Sequence, residues 1–218
     1  MKRRIFATSL IVLGAVFLLF FAYQLLIFFL VARVGESTPP SLEVLTTDTV
    51  VSETKPIIPD SYTVPAEMPR RISIPSIQSE SYLQFVGVTT QNTMATPNNI
   101  FYSGWYVDSV KPGDEGVSII NGHAGGRYVD GVFRNLSKLQ QNDRVRVEMG
   151  DRRWLDFKVE QVETVSVEEA QTRLYADDPL ILRELKLITC DGVFNERDRT
   201  YDRRVIVTAS LDGVASIE

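Results

Sequence analysis

Hydrophobic and polar positions divide the chain into three regimes. From Ile5 to Ala32 the sequence is a nearly unbroken apolar run, relieved by Gly14, Gln24 and a few small residues. A bilayer core takes roughly 20 apolar residues in helical form, so this run is long enough to span one with room for tilt. From Gly35 to about Arg70 no period is sustained. Pro39, Pro40, Pro56, Pro59 and Pro65 stand among Ser, Thr, Asp and Glu, which is the composition of an extended linker. Beyond it the pattern turns into short alternating or apolar runs bounded by turn residues, the signature of β-strands.

The strand signals follow one another closely. Arg71-Ile72-Ser73-Ile74 alternates and stops at Pro75, which cannot continue a ladder. Ser81 to Val88 is strand-like, and Val117-Ser118-Ile119-Ile120 suits a buried strand. Arg144-Val145-Arg146-Val147-Glu148 alternates strictly, and Gly150-Asp151 turns it into Trp154-Leu155-Asp156-Phe157-Lys158-Val159. Leu185 to Thr189 and Val205 to Ala209 supply two more. Helical spacing is confined to short stretches: Val132-Phe133-Leu136-Leu139, Glu168 to Tyr175, and Pro179 to Leu185. Many short strands with few, brief helices predict a mainly β domain, a barrel or a sandwich. No internal repeat is present.

Charge orients this plan. Lys2, Arg3 and Arg4 precede the apolar run, and only Arg33 follows it directly, so the positive-inside rule keeps the N-terminus in the cytoplasm. No small-x-small cleavage site follows the run, which favours a retained single-pass anchor over a removed signal peptide. The expected organisation is a cytoplasmic end (1–4), a transmembrane signal anchor (5–32), an extracytoplasmic stalk (33–70) and a folded domain (71–218) of about 150 residues, large enough for its own core. Without the three leading cations, 20 basic residues (23 − 3) face 28 acidic ones. That excess of negative charge excludes nucleic acid as the expected partner, and a polybasic membrane patch with it.

The chain has one histidine, His123, and one cysteine, Cys190. A lone cysteine outside the cytoplasm forms no internal disulfide; it is either a small buried hydrophobe or a thiol kept free for a purpose. Cys190 ends an apolar strand, Asp191-Gly192 turns the chain, and Arg197, Arg199, Arg203 and Arg204 follow, cations of the kind that raise a thiolate fraction. His123 lies between Asn121-Gly122 and Ala124-Gly125-Gly126, where glycines let another group come close. A lone histidine after a buried strand is more often a satisfied structural side chain, and that reading stands beside the functional one. Arg203 begins the final strand, a position suited to a cation facing a developing oxyanion, with Arg204 and Arg199 as alternatives. One His and one Cys do not make a zinc site, and no cofactor is expected. Glu160, Glu163 and Glu168 read as solvated loop charges, with calcium dependence left open.

The ordered set Asn121-Gly122-His123, Leu187-Ile188-Thr189-Cys190 and Arg203-Arg204-Val205-Ile206-Val207 resembles the sortase family of cysteine transpeptidases. The likeness extends over residues 71 to 211, with Arg71-Ile72-Ser73-Ile74-Pro75 similar to the family's opening strand and Gly104-Trp105-Tyr106 with Pro112-Gly113 similar to its class E and F members. The family often carries Thr-Leu-x-Thr-Cys; here Lys186 holds the first of those positions. The resemblance implies an eight-stranded β-barrel on a single N-terminal anchor, with the domain on the cell surface. It implies that the Cys190 thiolate attacks an amide in an LPXTG-like C-terminal sorting signal of a surface protein. His123 would act as acid and base, Arg203 would stabilise the oxyanion, and Thr189 would line the substrate pocket. A cell-wall amine, supplied by a peptidoglycan precursor, would resolve the thioester. Without a second hydrophobic span or an evident lid motif, a pilus-polymerising member is not expected. The competing readings are another cysteine wall-modifying enzyme and a non-catalytic surface β-domain for binding or spacing.

Overall fold

The computed structural model describes residues 17–26, 42–47, 51–58, 61–195 and 200–215. The chain divides into two units, residues 1–37 and residues 38–218. In the first, residues 17–26 are helical, with Phe17, Leu19 and Phe20 exposed. The rest of the expected anchor (5–16 and 27–32) lies outside the described residues, as does the cytoplasmic end (1–4). Among the described residues no helix is long and apolar enough to cross a membrane.

In the second unit eight strands close into a barrel: β1 (Pro69–Ile74), β2 (Ser79–Val86), β3 (Ser103–Tyr106), β4 (Gly116–Gly122), β5 (Arg144–Met149), β6 (Trp154–Ser166), β7 (Arg183–Asn195) and β8 (Thr200–Ala215). Their order around the wall is β1-β2-β3-β4-β7-β8-β6-β5. Two neighbours run parallel, β2 with β3 and β4 with β7. Closure leaves no free sheet edge and encloses one core. Alternation fills that core, since every second residue of a strand faces inward. Ile72 and Ile74 from β1, Val145 and Val147 from β5, Leu155, Phe157 and Val159 from β6, and Leu185 and Leu187 from β7 all belong to it.

A second apolar cluster lies outside the wall, beneath α1 (Val167–Tyr175). Ser166 and Glu169 form a reciprocal capping box at its start, and Ala170 and Leu174, one turn apart, are its buried face. They pack on Val86, Ile119 and Ile206. β1 and β5 are also joined by a buried pair: Arg70 donates to Glu148 at 2.9 Å, and Arg71 reaches the same carboxylate oxygen at 2.7 Å.

Several expectations change. Val132 to Leu139 forms no α-helix, only a 3-10 turn at Leu136–Lys138. Phe133 and Leu136 enter the barrel core, and core packing overrides the helical spacing. Pro179 to Leu185 is not helical either: β7 starts at Arg183, where the ladder with β4 captures it. β3 was not read as a strand because all four of its residues are buried and nothing in Ser103–Tyr106 alternates. The expected stalk is partly tied down. Leu45 bridges to Val86 and Ser52 to Asn99, both parallel, so residues 42–47 and 51–58 run along the barrel.

Candidate active site

Three adjacent strands, β4, β7 and β8, bring the singled-out residues together. β4 and β7 keep one parallel register from Gly116 opposite Arg183 to Asn121 opposite Ile188. Thr189 prolongs it, donating from Oγ1 to the Gly122 carbonyl at 2.7 Å, residues 67 positions apart. The next step along both chains is His123 and Cys190, which have that same offset. β7 and β8 are antiparallel, and Cys190 stands opposite Arg204. Side chains opposite one another in a ladder share a face. Cys190 and Arg204 therefore share one rung, with about 4.8 Å between the two strands, and His123, one residue past the end of β4, lines the same cavity. Their face is the outer one, because Ile188, two residues before Cys190, packs in the cluster beneath α1 whereas Leu185 and Leu187 fill the barrel.

The rung opens into a cavity of about 360 Å³. Its floor includes Asn121 and Ile188. One wall is α1, through Ala170, Gln171, Leu174 and Tyr175, and the other is the 92–96 loop, through Met94 and its neighbours. Apolar walls with polar groups at one end give this groove the make-up of a ligand-binding cleft. Tyr175 steadies the far end of α1 by packing edge-to-face on Tyr106, their ring centroids 6.3 Å apart. The phenol of Tyr106 is pushed up to about 12, chiefly by burial.

Burial pushes the Cys190 thiol up from its ordinary value, and the Arg204 charge pulls it partway back. At neutral pH the thiolate is thus a minor species that Arg204 favours. The guanidinium of Arg204 is fixed by its own hairpin. Nη1 donates to the carbonyls of Tyr201 and Arg203, both at 2.8 Å, and Nη2 to Thr200 Oγ1 at 2.9 Å. His123 Nε2 lies 2.7 Å from the Pro97 carbonyl oxygen. A carbonyl only accepts, so Nε2 carries the proton in this contact, and Nδ1 is the ring nitrogen that exchanges one in the neutral tautomer.

The linker reaches this region. The Glu53 carboxylate accepts from the backbone N–H of Arg127 at 2.5 Å and of Tyr128 at 3.0 Å, in the loop after His123. Ser52 donates its N–H to Asn98 and accepts at its carbonyl from Ile100, flanking the loop that carries Pro97. One extended segment therefore ties together the two loops that hold the imidazole.

Of the residues expected at the site, His123 and Cys190 line the same cavity. Arg203 does not join them: it stands opposite Asp191 on the other face of the ladder, its Nη2 3.4 Å from that carboxylate. Thr189 borders the cavity, but its hydroxyl is committed to Gly122. Sequence reasoning kept Arg204 as an alternative and missed the Pro97 carbonyl. Choosing between the arginines requires the β7–β8 register, which a bulge between Asp191 and Phe194 shifts and which no motif records. Among the described residues no group of three or more His, Cys, Asp and Glu is placed to hold a metal ion.

Comparison with known proteins agrees with this architecture. The family model for the sortase domain matches residues 72–212. Among solved structures the chain is similar to a lid mutant of sortase A from Corynebacterium diphtheriae, at 23% identity over 71% of this chain and 74% of that one, with a TM-score of 0.51. It is similar to sortase A of Listeria monocytogenes at 18% identity, covering 70% of this chain and 92% of that one, TM-score 0.51. It is also similar to sortase C1 of Streptococcus agalactiae in complex with MTSET, at 18% identity over 70% and 72%, TM-score 0.51. At these identities the likeness is one of fold. No curated protein matches the chain.

Proposed function

The chain belongs to the sortase family of cysteine transpeptidases, and from that premise we propose that it is held in a membrane by residues 5–32, cleaves an LPXTG-like C-terminal sorting signal, and transfers the carried surface protein to a cell-wall amine. The observation that carries this reading is the grouping of His123, Cys190 and Arg204 around one apolar groove, with Cys190 and Arg204 opposite each other on β7 and β8.

The chemistry follows from that grouping. The sorting peptide lies along the groove with its scissile carbonyl over Cys190. Sγ attacks as the thiolate, and charge develops on the carbonyl oxygen, which the Arg204 guanidinium stabilises. His123 enters as the imidazolium partner of that thiolate, the C–N bond breaks as it delivers its proton to the leaving nitrogen, and a thioester to Cys190 remains. The peptidoglycan-precursor amine then attacks, loses a proton to His123, and expels the thiolate. Arg204 takes the role that position alone would have given to Arg203, because only Arg204 shares a face with the thiol. Thr189 serves by holding β7 to Gly122, one residue before the base.

The anchor reading is supported by the apolar run, the cations before it, and the exposed helical residues 17–26. With the N-terminus in the cytoplasm, the barrel works on the cell surface. A peptide-library cleavage assay read by mass spectrometry tests the function and the motif together. Wild-type protein should cleave one family of sorting peptides, and Cys190→Ala or prior alkylation should reduce cleavage to background. Cleavage that survives Cys190→Ala would sink the assignment.

A further inference from the structure

The first position of the Lys186-Leu187-Ile188-Thr189-Cys190 string holds a lysine that is only 4% exposed. A buried ammonium is costly unless charge and hydrogen bonds compensate it, so its partners identify what it is for. Nζ donates to the carbonyl of Arg173 at 2.8 Å and to that of Ala176, the last turn and the cap of α1. It also lies 3.3 Å from Glu184 Oε1, on a carboxylate as buried as itself, paired by charge rather than by a well-aligned hydrogen bond. The other oxygen, Oε2, accepts from the Asp178 N–H at 3.0 Å. Both members of the pair therefore hold the end of α1 and the connection leading from it into β7.

Their place on β7 matters as much. Glu184, Lys186, Ile188 and Cys190 alternate onto one face of the strand, so the pair stands in the same row as the nucleophile, with Lys186 about 13 Å from it. Above that row lies α1, whose Ala170 and Leu174 form a wall of the groove. Helix-end carbonyls carry partial negative charge and have no partners within the helix, and an ammonium answers both needs at once.

We propose that Lys186 and Glu184 are a positioning pair that sets the height of α1 above β7, and through it the fit of the sorting peptide's apolar residues against Ala170 and Leu174. The proposal rests on reading the groove as the sorting-peptide site. It makes Lys186 a determinant of substrate affinity that touches neither the substrate nor the reacting atoms.

The test uses the full chain in detergent and compares wild type with Lys186→Thr and with the paired replacement Glu184→Gln/Lys186→Met, which leaves no unpaired buried charge. Hydrogen exchange of the α1 amides should rise at least tenfold in Lys186→Thr. KM for the best sorting peptide should rise at least tenfold with kcat within threefold, and the rate of Cys190 alkylation by iodoacetamide should stay within twofold. The paired replacement should recover thermal stability but keep the raised KM, a split that a purely structural role would not produce. Wild-type KM in the paired replacement would overturn the proposal, as would unchanged α1 exchange in Lys186→Thr. If wild type cleaves no sorting peptide, the functional reading fails by itself, and the exchange measurement still decides whether Lys186 holds α1.

Discussion

Gly122→Ala tests how tightly the base is built into the barrel. A Cβ at residue 122 would lie 2.5 Å from Cδ2 of Phe133 and 2.9 Å from both Cγ and Cε2. Ordinary carbon contacts are about 3.5–4.0 Å, so the ring must retreat by about 1 Å. Phe133 is fully buried in the barrel core, where packing approaches that of an organic crystal and leaves little room for retreat. Overpacking of this kind costs about 1–3 kcal/mol. For a chain of this size each kcal/mol lowers Tm by about 2–4 °C, which puts the loss at about 2–12 °C.

The same push should reach the chemistry, because Phe133 donates its N–H to the His123 carbonyl at 3.0 Å and Gly122 accepts from Thr189. A displacement of about 1 Å at a catalytic group costs up to ~10²-fold in rate. Thermal unfolding by circular dichroism and peptide cleavage should therefore show a lower Tm together with a kcat/KM loss between about tenfold and a hundredfold. Gly122→Ala/Phe133→Leu removes the ring and should recover most of both, giving a favourable coupling between the two substitutions. A Gly122→Ala protein with wild-type Tm and kcat/KM, or strictly additive effects in the double mutant, would refute this account of the Gly-His pair.

Arg204→Gln removes the cation that favours the thiolate, so the pH midpoint of Cys190 alkylation should move further up, and kcat/KM for a sorting peptide should fall by about 10²–10³-fold. Arg203→Gln should leave both nearly unchanged, since its guanidinium faces Asp191; the opposite ranking would return the role to Arg203. Glu53→Gln weakens a charge-assisted cap on two backbone amides, and hydrogen exchange at Arg127 and Tyr128 should rise several-fold with a modest loss of kcat/KM. Unchanged exchange there would show that the linker only rests on the barrel.

The legibility of the site differed from residue to residue for physical reasons. His123 and Cys190 stand out because they are single and each ends an apolar run, features of the chain itself. The β4–β7 ladder keeps one constant offset, the 67 residues that also separate His123 from Cys190, so their approach follows once the two strands pair. What could not be read was that β4 and β7 pair at all, because the 123–182 segment between them supplies two strands and a helix placed elsewhere. Arg204 was hidden by a bulge, and β3 by burial on both faces, which erases alternation. The helical spacing of Val132 to Leu139 misled because Phe133 and Leu136 are recruited by the barrel core. In the sequence Lys186 is only a departure from a motif, because the end of α1 that its ammonium holds comes beside it through the fold.

Local patterning alone sets out the regimes of the chain: an apolar run with cations before it, a proline-rich linker, and a mainly β domain with one thiol and one imidazole. It could do so because periodicity, charge and residue scarcity are local quantities. Folding adds which arginine faces the thiol, the bracing of the loops around His123 by part of the linker, and the buried lysine that ties the groove wall to the nucleophile's strand. Each of these depends on register or on long-range burial, and both are settled only when distant strands close into a barrel.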